Sequence, residues 1–135
     1  MERFTIQKND FLSHDCTGYF HLYYVGYGQP GNPDYLNTLK NIFVSTHPDT
    51  LRAASRQAAA LMIRDIPQVM AIEGLDTAIL MAVPRSKSGM CNWQLGFKGA
   101  VRTTVKALQA DGLSVIDGTD FIFRHTSTKM THLRK

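Results

Sequence analysis

Arg85, Ser86, Lys87 and Ser88 stand in a row at the end of an apolar run, inside the stretch VPRSKSGMCNWQLGF. Two cations and two hydroxyls in four residues are the donors that phosphate oxygens accept from, the guanidinium through paired N–H groups and the ammonium as a point charge. At the carboxyl end of a buried parallel strand such a run sits where α/β proteins bind ligands, and free N–H groups at the start of a following helix add a positive dipole. The same composition also makes a good solvated turn, and on composition alone the turn is the better reading. The final residues, FRHTSTKMTHLRK, pose a similar choice. Arg124, His125, Thr126 and Lys129, with Arg134 and Lys135, could close over a phosphate, contact nucleic acid or form a polar end.

Other constellations are weaker. Gly26-Tyr27-Gly28-Gln29-Pro30-Gly31 matches the G-x-G-x-x-G pattern of dinucleotide-binding turns. Pro30 and Pro33, however, interrupt the place where a helix should offer free N–H groups, so a plain loop is the better reading. His14 with Cys16, and His125 with His132, lack zinc-site spacing. A Walker loop, a Gly-x-Ser-x-Gly elbow and a His-Glu-x-x-His pair are all missing from the sequence, which leaves hydrolase and NTPase readings without anchors. Lys98, Arg102 and Lys106 recur at helical spacing and form a basic stripe that could meet nucleic acid or an acidic partner.

The elements that must position these groups are legible from periodicity. Tyr19 to Val25 reads as a strand entering the loop GYGQPGNP, and Asp34 caps a short helix carrying Tyr35, Leu36, Leu39, Ile42 and Phe43. Pro48 and Asp49 open a helix whose buried face is Leu51, Ala54, Ala58 and Leu61. Pro67 is expected to end or kink it, with a last turn before Gly74. Thr77 to Val83, TAILMAV, has the continuous apolar character of a strand covered on both faces. Trp93, Phe97, Val101, Val105 and Leu108 then mark a helix that Asp111-Gly112 stops. Leu113 to Val115 and Asp120 to Arg124 read as short strands around a turn at Asp117-Gly118. The order favours α/β with a partly parallel sheet flanked by helices.

The 135 residues, 44% hydrophobic and 19% charged, have the composition of one folded domain spanning 1–135 and exclude a disordered chain. The net charge of +4 tilts weakly toward anionic partners. No apolar run approaches the roughly 20 residues of a membrane span, and MERFTIQKND lacks a secretory signal's apolar block, so the expected location is cytoplasmic. Cys16 and Cys91 are expected as reduced thiols.

Taken in order, Val83-Pro84-Arg85, Gly96-Phe97 and Arg124-His125-Thr126 resemble the type I phosphoribosyltransferase family, in particular its competence-protein-like and amidophosphoribosyltransferase-like branches. The resemblance covers about residues 77–135. It implies that Arg85, Ser86, Lys87 and Ser88 lie in the loop that binds the pyrophosphate of phosphoribosyl pyrophosphate. Arg124, His125, Thr126 and Lys129 would belong to the flexible loop that closes over it. The implied chemistry is displacement of pyrophosphate at the anomeric carbon by a nitrogen nucleophile, with Mg2+ neutralising the leaving group. Members also carry a later strand ending in two acidic residues and a Thr-rich loop. The sequence stops at Lys135 before such an element, and Asp117-Gly118-Thr119-Asp120 reads as a turn, so an incomplete phosphoribosyltransferase-like domain is expected. The partner implied is a phosphorylated small molecule. The alternative is a non-catalytic module that binds nucleic acid through Lys98, Arg102 and Lys106 or self-associates through an open sheet edge.

Overall fold

The computed structural model describes residues 1–21, 23, 25, 30–40, 47–83 and 92–122, with the backbone alone for 92–95. The chain divides into two compact units, Met1–Asn32 and Pro33–Lys135.

The first unit is a hairpin. Strands β1 (Glu2–Ile6) and β2 (Cys16–Phe20) pair antiparallel, in a register that sets Glu2 opposite Phe20 and Ile6 opposite Cys16. Asn9 organises the connection: its backbone exchanges hydrogen bonds with Leu12, and its Oδ1 accepts the Phe11 N–H at 2.9 Å. Phe4, Phe20 and Tyr23 stack edge to face, with centroids 5.8 and 4.9 Å apart. The strand expected over Tyr19 to Val25 therefore starts at Cys16 and ends at Phe20. Its partner β1, exposed throughout, was not expected, although Phe4 and Ile6 alternate there with Arg3, Thr5 and Gln7.

The second unit is built on helices α1 (Asp34–Lys40), α2 (Pro48–Glu73) and α3 (Asn92–Ala110) with strands β3 (Ala78–Leu80) and β4 (Val115–Asp117). His47 caps α2, its Nδ1 accepting the Asp49 N–H, and Pro48 starts the helix with the φ it needs. The helix ends at Gly74, which adopts the left-handed conformation (φ 65°) while Leu75 N–H returns to Met70 O at 2.8 Å. The sequence places an end or a kink at Pro67, and the helix does not end there: α2 continues through it to Glu73. Pro67 has no N–H to give the carbonyl of Ile63, and the burial of Met70 and the packing of Ile63 and Ile66 on the core offset that loss.

β3 and β4 are parallel, in the register Ala78 to Val115, Ile79 to Ile116 and Leu80 to Asp117. A parallel pair needs a long crossover, and α3 is the helix between the two strands. Met70, Val101, Val105, Leu108 and Val115 form the buried core, with Ala78, Leu80 and Ala82 packed against it. The alternate residues face outward: Ile79, Met81 and Ile116 are 49%, 45% and 43% exposed. TAILMAV is thus a shorter strand than its apolar run, and it is covered on one face where two were expected. Among the described residues the fold is mixed α/β, with one small antiparallel sheet, one small parallel sheet and three helices. None of these helices is long and apolar enough to cross a membrane.

Candidate functional site

Arg85, Ser86, Lys87 and Ser88 fall in 84–91, and Arg124, His125, Thr126 and Lys129 in 123–135; both groups lie outside the described residues. What is described is the platform they adjoin in the chain. β3 runs into Met81, Ala82 and Val83 directly before Pro84. Beside it, β4 runs into Asp117, Gly118, Thr119 and Asp120. Gly118 N–H extends the strand ladder by donating to Leu80 O at 2.9 Å. The approach there is close: a Cβ at Gly118 would sit 2.6 Å from Met81 Cγ and 2.7 Å from Ile79 Cγ2, side chains that would have to shift, and 3.3 Å from the backbone oxygen of Leu80.

Asp117 ends β4 in an Asx turn, Oδ1 accepting the Thr119 N–H at 2.9 Å. Across from this turn, α3 presents Lys98 and Arg102, one helical turn apart. Arg102 Nε donates to Thr119 Oγ1 at 3.0 Å, and its Nη2 reaches both Asp120 carboxylate oxygens at 3.2 and 3.1 Å. Lys98 Nζ donates to Asp120 Oδ1 at 2.9 Å, and Asp117 Oδ2 lies 3.7 Å from Arg102 Nε. Thr119 is 1% exposed and fixes the centre of the cluster, while both carboxylates face solvent.

The electrostatics follow from these contacts. Hydrogen bonds from the Thr119 side chain and backbone hold the Asp117 carboxyl below its ordinary range, with Arg102 adding to the effect. Lys98 does the same for Asp120 by hydrogen bond and charge. At neutral pH the cluster is two carboxylates balanced by a guanidinium and an ammonium, next to a buried hydroxyl. The chain matches no protein-family model, no curated protein and no solved structure. The site's own chemistry is that of a charge-compensated cluster, in which any ligand reaching Lys98 or Arg102 would first have to displace the Asp120 carboxylate.

This arrangement also changes the basic stripe. Lys98 and Arg102 are ion-paired with Asp120, and of the three stripe residues only Lys106 makes no such pair among the described residues. Residues 26–29 of the glycine-rich loop lie outside the described residues. Around them Asn32 accepts the Val25 N–H at 2.9 Å and donates to Val25 O at 2.8 Å, which ties the loop's flanks together. Cys16 is a free thiol, and Cys91 lies outside the described residues. Among the described residues no three His, Cys, Asp or Glu side chains gather as a metal site. The sequence reading missed Asp117, Thr119 and Asp120 as a cluster. The signal was present in the order strand, helix, Gly112, strand, since acids directly after a second parallel strand fall at the ligand-binding end of an α/β unit.

Proposed function

We propose that this chain is a phosphoribosyltransferase-like domain that binds a pyrophosphate-containing ligand, phosphoribosyl pyrophosphate or pyrophosphate itself, at the carboxyl end of β3 and β4. The observation that carries the reading is the parallel pairing of β3 with β4 through α3. It puts Asp117 to Asp120 beside the strand end from which Pro84 and Arg85 to Ser88 continue. Arg85, Ser86, Lys87 and Ser88 supply the phosphate donors, and Arg124, His125, Thr126 and Lys129 supply the covering loop. The donor set suits Mg2+, which keeps most of its waters and binds proteins through one or two carboxylates together with substrate phosphates. Asp117 and Asp120 are the carboxylates of the described platform, both ionised at neutral pH. Bound there, the ion would neutralise leaving-group charge.

Pairing of Lys98 and Arg102 with Asp120 weighs against the alternative of a nucleic-acid surface on α3, because each phosphate contact would first have to displace a carboxylate. The test is a thermal melt with pyrophosphate or phosphoribosyl pyrophosphate and magnesium. A ligand at 100 times its Kd stabilises by about 2.7 kcal/mol, a readily measured rise in Tm. The joint change Arg85→Ala with Lys87→Ala should abolish it. An unchanged Tm at about 1 mM ligand, a concentration that would fill even a modest site, refutes the reading.

A further inference from the structure

A groove of about 470 Å³ lies between α2 and α3, lined by Leu51, Arg52, Ser55 and Arg56 from α2 and by Gly99 and Thr103 from α3. It is separate from the Asp117 to Asp120 cluster, which shares none of these residues. We infer that it is a second binding site, for an organic phosphate: a phosphomonoester carried on a flat, largely apolar body.

Three observations converge on that ligand. The first is cationic. Arg52 and Arg56 stand one turn apart, at i and i+4, so both guanidinium groups lie on the groove side of α2. Arg52 gives one amino group to Asp49. Arg56 has no hydrogen bond or ion pair among the described residues, and its five N–H donors are open to a doubly charged oxyanion. The second is the hydroxyl pattern. Ser55 Oγ is committed to Gly96 O at 3.0 Å, where it ties the two helices together. The Thr103 hydroxyl across the groove makes no bond among the described residues and can donate.

The third is Gly99. In mid-helix a glycine costs about 1 kcal/mol relative to alanine. Packing does not ask for it here, since a Cβ at Gly99 would meet nothing within 4 Å. Its effect is to keep the groove floor open, beside Leu51 and the arginine methylenes, where a ring can lie flat. A volume of about 470 Å³ is in the range of small-molecule sites and exceeds what a bare phosphate fills, which is why the ligand carries an organic body.

The proposal is tested with adenosine 5′-monophosphate as probe, in the absence of magnesium, by amide chemical-shift mapping of the full chain. Adenosine and inorganic phosphate serve as parallel arms. Shifts centred on Ser55, Gly99 and Thr103 are expected, with saturation at millimolar probe and weaker binding of either half alone. Gly99→Leu places a good helix former in the open space and should abolish binding while the protein stays folded. Arg56→Gln, an exposed change that serves if Gly99→Leu does not fold, should weaken binding about tenfold or more. The inference is overturned by unchanged affinity in the variants, by equal binding of adenosine or of phosphate alone, or by no binding at about 10 mM probe. Shifts centred on Gly118 and Thr119 would likewise overturn it, and would assign the anion to the strand ends.

Discussion

Adding one methyl group at Gly118 and one at Gly99 should move stability in opposite directions. At Gly118 the new Cβ meets Met81 Cγ at 2.6 Å and Ile79 Cγ2 at 2.7 Å, about 1 Å inside ordinary carbon contact. Met81 and Ile79 are half-exposed and can swing aside. Leu80 O, 3.3 Å from the same Cβ, cannot, because it accepts the Gly118 N–H that continues the parallel ladder. Overpacking of this kind costs about 1–3 kcal/mol. At Gly99 the Cβ enters open space, and the helix gains about 1 kcal/mol of propensity. For a unit of this size each kcal/mol shifts Tm by roughly 4–8 °C, so the two alanine variants should melt on either side of wild type and well apart. Far-UV circular dichroism is the assay, since the described helices all belong to the Pro33–Lys135 unit. A Gly118→Ala protein that melts within about 1 °C of wild type would refute the close approach of the two strand ends.

Three other perturbations follow from particular contacts. Asp117 and Asp120 have folded pKa values below their ordinary 3.8, so the stability they add is complete above that value and is lost as pH falls through the lowered pKa. Melts should be flat from pH 7 to about pH 5 for these groups and decline below, and Asp117→Asn should shrink the acid decline; an undiminished decline would contradict the assignment. Arg64 holds Asp65, which is 4% exposed, through Nε at 2.6 Å and Nη2 at 3.1 Å. Arg64→Ala should therefore lower Tm more than Arg52→Ala, whose Asp49 pair lies in solvent. Pro67→Ala restores a donor to the Ile63 carbonyl and should stabilise by about 1–3 kcal/mol in denaturant unfolding, whereas a loss would mean that the core depends on the proline's shape.

The sequence carried the helices better than the sheets, for reasons visible in single residues. Pro48, Asp49, Gly74 and Gly112 act through local backbone geometry, so the start of α2 and both helix ends could be read directly. The extent of TAILMAV could not, because β3 lasts only as long as its three-residue partner β4, a nonlocal pairing. β1 did leave a trace, Phe4 and Ile6 alternating with Arg3, Thr5 and Gln7, but two apolar positions make too short a run to mark a strand without its partner β2. Asp117, Thr119 and Asp120 looked like an ordinary turn because what distinguishes them is the fit of Arg102 and Lys98, some twenty residues earlier, onto that turn. The groove at Gly99 left a fainter trace, a glycine inside a strongly periodic helix.

The outward apolar residues of the parallel sheet carry a practical consequence for fluorescence work. Ile79, Met81 and Ile116 lie on one sheet face, and Val83, Phe121 and Ile122 are exposed as well. Hydrophobic dyes report exposed apolar surface whether or not a chain is folded. The native protein should light such a dye before any heating, so a bright starting baseline is a property of the folded sheet and not the mark of a molten globule.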